Sequence, residues 1–428
     1  MGKTVKAIIN NQTIEIPVLI GSQGEKALDI SKLRQQTGYI TLDPGYGNTG
    51  SCRSKITYVN GEKGVLRYRG IPIDELAENS TFVETAYLLI YGSLPDAKQK
   101  KDFSYLLTEH SLLHEDINIF FQNFPRLSNP MGILSSMVNA MRFFYNTLPA
   151  SPNTITDDEI ARLISKMRTM AAFSYKISRG HKVVYPNPKY SYCENFLNMM
   201  FDNPVKPYTL DPDIVKALSI FWIVRADLEQ NNSTTAVRLV GSGRVNIHAA
   251  ISAGTCALWG PLHGGATYAV YNMLEEIKKN KYDINYYINK AKDPNDSFRL
   301  FGFGHRIYRT YDPRSLILKN TYKSLIQDKL KDNSLYEIAL ELEDAALNDD
   351  FFKEHKIFPN IDLYSGVLLK ALGIPENMFT VLFAIGRLPG WIAQWKEEAD
   401  DPKWKLYRPR QIYIGSEKRD YVPMDKRE

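Results

Sequence analysis

Thr81-Phe82-Val83-Glu84-Thr85-Ala86-Tyr87-Leu88-Leu89-Ile90-Tyr91-Gly92 is the stretch at which the periodicity of this chain changes, and the fold class turns on it. Thr81 and Glu84 have the spacing of a capping box, in which each side chain satisfies a backbone N–H left unpaired at the start of a helix. An apolar stripe follows and stops at Gly92, the residue type that most readily takes the left-handed conformation ending a helix. Upstream, residues 4–20 alternate or run apolar about Asn10-Asn11, while Ile56–Val59 and Val65–Tyr68 flank Asn60-Gly61, so two hairpins are predicted. Downstream, helical spacing recurs near 133–147, 157–178 and 213–228. It returns in Ala266, Val270, Tyr271, Met273, Leu274 and Ile277, and in Tyr364, Val367, Leu368, Ala371 and Leu372 before Gly373. The chain therefore reads as mainly α, with a short β-rich segment over 1–70. No internal repeat, low-complexity tract or Gly/Ser-rich linker interrupts it, so a second domain has to be inserted within the first. Breaks near 265 and 375 give a large helical domain over 71–265 and 375–428 and a small helical domain over 266–374.

The global figures exclude more than they propose. With 428 residues and 44% hydrophobic content, the chain can bury one large core or two unequal ones. Lys+Arg 53 nearly balance Asp+Glu 48, and a net charge of +5 is too small at this size for a nucleic-acid surface. Cys52, Cys193 and Cys256 lie far apart with no CxxC spacing, which indicates neither a disulfide framework nor a zinc site and fits a reducing cytoplasm. The opening Met1-Gly2-Lys3-Thr4-Val5-Lys6 has neither the apolar core of a secretion signal nor the pattern for myristoylation, and no apolar run is long enough to span a bilayer, so no membrane association is expected.

Chemistry concentrates in Gly302-Phe303-Gly304-His305-Arg306-Ile307-Tyr308-Arg309-Thr310-Tyr311-Asp312-Pro313-Arg314. Glycines on both sides of Phe303 allow a bend that lets the backbone approach a ligand and leaves His305 projecting beside it. Asp312-Pro313 reads as a helix cap followed by the first helical residue, with Arg314 in the first turn. A cation at that end of the helix opposes the macrodipole, so an anion is expected nearby.

Further polar residues stand where helices begin. In Gly260-Pro261-Leu262-His263-Gly264-Gly265-Ala266, His263 is expected at a helix N-terminus, where the dipole disfavours imidazolium and keeps a neutral ring able to donate to an oxyanion. In Phe358-Pro359-Asn360-Ile361-Asp362-Leu363-Tyr364-Ser365-Gly366, Asp362 is a first-turn acid pulled towards ionisation by the dipole and away from it by apolar surroundings. Taken alone, His263 could simply cap its helix and Asp362 could simply favour its own. Arg387 interrupts the apolar run from Phe379 to Ala393, where a buried guanidinium needs an anionic partner. Arg408-Pro409-Arg410 lies in a basic segment near the C-terminus that by composition is an ordinary solvated tail. His110 and His114, at i and i+4, read as surface histidines of one helix face. The set His263, His305 and Asp362 superficially matches a non-haem iron triad but lacks its short His-x-Asp spacing, so no metal is expected.

Over nearly its full length the chain resembles the citrate synthases of the longer bacterial type, and Gly302 to Arg306 with Asp312-Pro313-Arg314 is similar to that family's signature. The resemblance implies a two-domain helical fold in which an inserted small domain closes over a cleft. It implies an acyltransferase that condenses acetyl-CoA with oxaloacetate to citryl-CoA and hydrolyses the thioester, with no metal and no cofactor beyond the acetyl-CoA substrate. By this likeness His263 stabilises the enolate, His305 protonates the acceptor carbonyl, and Asp362 takes the acetyl proton. Arg314, Arg387 and Arg408 clamp the acceptor's carboxylates, the last reaching across from a partner subunit, which implies a homodimer. The loop of Gly302, Phe303, Gly304 and Arg306 is similar to the CoA-binding segment, and the β-rich opening resembles that of types that assemble as hexamers and are inhibited by NADH.

One stretch departs from the family pattern. Where His-Ala-Asp-His-Glu-Gln-Asn is common, this chain has Arg225-Ala226-Asp227-Leu228-Glu229-Gln230-Asn231, and Thr267 stands where asparagine is usual after Gly-Gly-Ala. Leu228 takes the place of a histidine that binds an acceptor oxygen, and Arg225 offers a compensating acceptor contact. The alternatives the sequence leaves open are a 2-methylcitrate synthase or related enzyme using another 2-oxo acid or acyl-CoA, and a non-catalytic acyl-CoA-binding paralogue.

Overall fold

In a computed structural model of the chain, residues 3–145, 154–280 and 283–427 are described. They form two compact units, Met1–Arg53 with Tyr407–Glu428, and Ser54–Leu406. In the first, β1 (Thr4–Ile9) and β2 (Gln12–Ile20) pair antiparallel with Ile9 opposite Gln12. Asn10 and Asn11 make the two-residue turn at φ of 50° and 63°, positive at both positions as the twist of a tight hairpin requires. A third strand, β3 (Lys26–Leu28), adds to the free edge of β2.

The second unit opens with the other expected hairpin. Strands β4 (Thr57–Asn60) and β5 (Val65–Tyr68) pair antiparallel, and β6 (Ile71–Pro72) pairs with β5. Helices then take over. α1 (Phe82–Tyr91) starts from the Thr81–Glu84 capping box and ends at Gly92 with φ of 97°. The helix expected near 133–147 is instead α2 (Pro130–Ala140) followed by a tighter turn over Met141–Phe144, and residues 146 and 147 lie outside the described residues. α3 (Asp157–Ser178) has the expected bounds. α4 (Pro212–Arg225) stops three residues short of the expected end, because the chain turns away through Ala226 to Glu229, which sits at φ of 45°. α5 (Asn232–Gly241) and α6 (Ile247–Leu258) follow. His110 ends the helix Ala97–Glu109 and His114 caps the helix Glu115–Gln122, so the two histidines do not share a helix face as the spacing suggested.

Next come α7 (Ala266–Asn280), α8 (Pro313–Thr321), α9 (Ser334–Asn348) and α10 (Asp362–Ala371), which pack on one another: α7 against α9 and α10, and α10 against α8 and α9. The last long helix, α11 (Phe379–Ala399), is buried at every position from Val381 to Trp395, as expected of a helix apolar all round. It contacts α1, α3, α4, α5, α6 and α7 and so forms the axis of this unit. Two glycines let it seat on the end of α4: a Cβ at Gly386 would lie 3.0 Å from the Trp222 ring, and one at Gly390 would lie 2.1 Å from the Ala226 carbonyl. That close approach delivers Arg387 to the last residue of α4.

Candidate functional site

The glycine bend and the start of α10 are laced together by backbone bonds. Gly304 N–H donates to the Phe358 carbonyl at 2.7 Å, Asn360 N–H to the Gly302 carbonyl at 2.8 Å, and the Asn360 amide to the Gly304 carbonyl at 2.8 Å. Gly302 and Gly304 hold φ of 86° and 75°, conformations that L side chains rarely adopt, and a Cβ at Gly302 would press on Leu363 at 3.1 Å. The segment carrying His305 is thereby fixed to the segment carrying Asp362, although 57 residues separate them (362 minus 305). Phe303 is half-buried in this bend and Arg306 is exposed.

His305 accepts from the backbone N–H groups of Ile307 at 3.0 Å and Tyr308 at 3.2 Å, both at Nδ1. The network therefore assigns its proton to Nε2. Burial, and then the Arg314 charge, push its pKa down to about 4, so the ring is a neutral donor.

His263 lies in the turn between α6 and α7, three residues before α7 begins rather than in its first turn. Ser233 N–H donates to its Nε2 at 3.3 Å and the Ser233 hydroxyl stands at 2.9 Å, which assigns the ring proton to Nδ1. Its pKa is pushed down to about 3, by burial first and the Arg387 charge second, so a neutral ring is reached by a different cause from the helix dipole. The adjacent glycines also have a steric reason: a Cβ at Gly264 would meet the Leu258 carbonyl at 2.4 Å, and one at Gly265 the Pro261 Cα at 2.7 Å.

Asp362 is the first residue of α10 and its backbone N–H is held by Asn360 Oδ1 at 2.9 Å. Its Oδ1 accepts from Arg225 Nη2 at 2.6 Å and from the Thr267 hydroxyl at 2.6 Å. Burial acts to raise its pKa, but the Arg225 charge and these hydrogen bonds outweigh it, and the carboxyl is held below its ordinary value. The competition that the sequence left open is thus decided by a guanidinium from another helix. Charge from Asp362 and from Arg225 reaches both imidazoles, which places the carboxylate and the two rings in one electrostatic neighbourhood.

The arginines divide by partner. Arg314 is 2% exposed, and its Nε and Nη2 donate to Asp312 Oδ1 and Oδ2 at 3.0 and 2.7 Å. The anion expected beside it is this capping carboxylate, which is fully buried and also accepts from Ile361 N–H at 3.2 Å. Arg387 is 1% exposed; its Nε donates to the Arg225 carbonyl at 2.6 Å, while its Nη1 is buried with no hydrogen-bond partner among the described residues. Asp227, whose charge acts on it, is the nearby buried carboxylate. Arg225, 2% exposed, spends its Nη2 on Asp362, Ser365 and Thr267. Leu228 is buried, at 7% exposure. Arg408 belongs to the unit formed by Met1–Arg53 and Tyr407–Glu428 and is exposed there. Among the described residues no group of three or more His, Cys, Asp or Glu side chains could hold a metal ion, and no helix is long and apolar enough to cross a membrane.

Three residues that hold this constellation carry no sequence signal of their own: Ser233 behind His263, Ser365 beside Arg225, and Asn360 between the bend and Asp362. Single polar residues at helix starts are common, and only the distant partner makes these informative.

The family model described as citrate synthase, C-terminal domain, matches residues 45–410. Citrate synthase 1 of Mycobacterium tuberculosis is 47% identical over 415 residues, covering 97% of this chain and 96% of that protein. Among solved structures, citrate synthase from Pyrobaculum aerophilum superposes with a TM-score of 0.81 at 29% identity, covering 97% of this chain and all (100%) of that one. Citrate synthase from Thermoplasma acidophilum, in a ternary complex with carboxymethyl coenzyme A and oxaloacetate, gives a TM-score of 0.81 at 30% identity over 90% of this chain and 100% of that one. The Thermotoga maritima enzyme gives 0.77 at 32% identity, covering 91% and 100%.

Proposed function

The chain belongs to the citrate synthase family, and on that premise we propose how its residues condense acetyl-CoA with oxaloacetate to give citrate and CoA. A methyl group beside a thioester is a very weak acid, so the base has to act while a fixed donor meets the charge that develops on the thioester oxygen. Asp362, ionised and held through Oδ1, takes the methyl proton. His263, neutral with its proton on Nδ1, donates to the enolate oxygen. His305, neutral with its proton on Nε2, donates to the keto oxygen of oxaloacetate as the enolate carbon attacks the keto carbon. The new carbon–carbon bond gives citryl-CoA, and water then cleaves the thioester to citrate and free CoA. No step needs a metal or a further cofactor.

The observation that carries this reading is that the Asp362 carboxylate, held at Oδ1 by Arg225 and Thr267, acts on two imidazoles that burial and neighbouring arginines keep neutral, with pKa values of about 3 and about 4. Imidazolium in either place would present the wrong charge state for a ring that must hold its proton through the first step. Arg387, with a buried Nη1 that no group among the described residues satisfies, suits one carboxylate of oxaloacetate. Arg314 and Arg408 complete the proposed clamp, the latter from a partner subunit, so we take a homodimer as the working form. Helices α7 to α10, which pack on one another, support reading 266–374 as an inserted small domain whose closure would exclude water from the enolate. The bend of Gly302, Phe303, Gly304 and Arg306 is assigned to CoA. A cytoplasmic setting accords with the thiols of Cys193 and Cys256, which stand outside any disulfide.

The test is oxaloacetate-dependent thiol release from acetyl-CoA, with citrate identified by mass. Asp362→Asn should lower kcat by about 10²–10⁴-fold, the usual range for loss of a positioned base. Release of equal rate without oxaloacetate, or from the variant, would sink the assignment.

A further inference from the structure

The two positions at which this chain leaves the family pattern near its base, Arg225 and Thr267, lie 42 residues apart and meet on a single oxygen, Oδ1 of Asp362. We propose that Arg225 is the positioning residue of the base: with Thr267 it clasps Oδ1, so that Oδ2 is the oxygen that takes the methyl proton. This rests on Asp362 being the base. Arg225 is itself held on every side that the clasp needs. Ser365, one turn along α10, accepts from its Nη2 at 2.6 Å while donating to the Ile361 carbonyl at 2.7 Å. The Phe383 ring of α11 lies 4.2 Å from its guanidinium carbon, and Phe221 of its own helix 5.7 Å. Its backbone carbonyl accepts from Arg387 Nε at 2.6 Å, so one residue fixes the base by its side chain and the proposed acceptor clamp by its backbone.

The arrangement matters because a carboxylate pivots about its Cβ–Cγ bond, and a base must present one lone pair along the line of the leaving proton. Two short bonds to the same oxygen remove that freedom. Thr267 also relays the clasp, accepting from Arg225 Nη2 at 3.2 Å as it donates to Asp362. The groups facing Asp362 are Arg225 from α4, Thr267 from α7, Arg314 from α8, and the two neutral imidazoles. Removing the Arg225 charge would leave burial opposed by the Thr267 hydrogen bond and then by the Arg314 charge, and the carboxyl would protonate at higher pH.

The test compares Arg225→Gln, Arg225→Lys and Thr267→Val in kcat against pH, with acetyl-CoA and oxaloacetate saturating. Arg225→Gln should move the acid limb up by about one to two pH units, the usual effect of losing an adjacent opposite charge, and lower kcat at neutral pH by roughly tenfold. Arg225→Lys should restore the acid limb, since it keeps the charge, while recovering only part of kcat. Thr267→Val should lower kcat without raising KM for oxaloacetate. An unchanged acid limb in Arg225→Gln, or a rise in oxaloacetate KM as its only effect, overturns the proposal in favour of a structural or acceptor-binding role. Should Arg225→Gln not fold, the Lys and Val variants decide: wild-type kcat in both overturns it. A urea-unfolding cycle of Arg225→Lys with Asp362→Asn reads the pair without turnover, so it separates failure of the clasp, where the losses add, from failure of the assigned reaction, where the wild-type chain releases no thiol.

Discussion

Arg387 donates from Nε to the backbone carbonyl of Arg225 at 2.6 Å, so the guanidinium of one buried helix is aimed by the last residue of another. The bond exists because Gly386 and Gly390 let α11 approach α4 more closely than any side chain would allow. With Nε committed, Nη1 is buried without a hydrogen-bond partner among the described residues.

Arg387→Gln should therefore raise KM for oxaloacetate far more than KM for acetyl-CoA. Loss of charge-assisted hydrogen bonds costs about 1.5–3 kcal/mol, or roughly 10- to 150-fold in affinity. Steady-state kinetics with each substrate varied in turn checks this, and equal effects on both KM values would place Arg387 away from the acceptor.

Three buried or half-buried histidines set an acid limit on stability. His248, His263 and His305 have pKa values of about 4, about 3 and about 4 in the fold, against an ordinary value of 6.5. Below 6.5 the unfolded chain binds protons that the folded chain refuses, so stability is complete above that pH and falls as pH drops towards 4. The urea midpoint should decline between pH 7.5 and pH 5, and His248→Gln should flatten that decline. Catalysis should meanwhile show no histidine limb near pH 6.5.

Leu228→His should tighten oxaloacetate. A donor restored to an unsatisfied acceptor oxygen is worth about 1–3 kcal/mol, roughly 5- to 150-fold in KM. The same substitution without effect on KM would mean that this buried leucine faces packing rather than substrate. A panel of 2-oxo acids with acetyl- and propionyl-CoA, products identified by mass, measures the specificity that goes with it.

Asp312→Asn should destabilise the chain severely. Asp312 has no exposed surface and accepts from Arg314 Nε, Arg314 Nη2 and the backbone of Ile361, so it joins the start of α8 to the start of α10. Breaking a buried pair and stranding its cation costs about 3–5 kcal/mol. Urea unfolding of the variant is the direct measure, and a loss within experimental error of zero would show that Arg314 finds another partner.

Local signals were legible in the sequence wherever a few neighbouring residues fix the outcome. The Asn10-Asn11 hairpin, the Thr81–Glu84 box with its Gly92 stop, and the Asp312-Pro313 helix start are all decided by backbone sterics and caps within one turn of chain. The presence of His263, His305, Asp362, Arg314 and Arg387 was legible for a related reason, since each breaks a pattern of apolar residues or helix-dipole preference. Their charge states and partners were not. The neutral ring of His263 comes from burial and Arg387 rather than from a helix end, and the anion beside Arg314 is its own cap.

What the sequence by itself determined is where helices, hairpins and reactive side chains occur, because those follow from spacing and short-range sterics. Only the tertiary structure decided that Arg225 and Thr267 share one oxygen of Asp362, and that Arg387 leans on Arg225. Such contacts join helices remote in the chain, and a guanidinium, being long and charged everywhere, gives no hint along the sequence of which carboxylate it will meet.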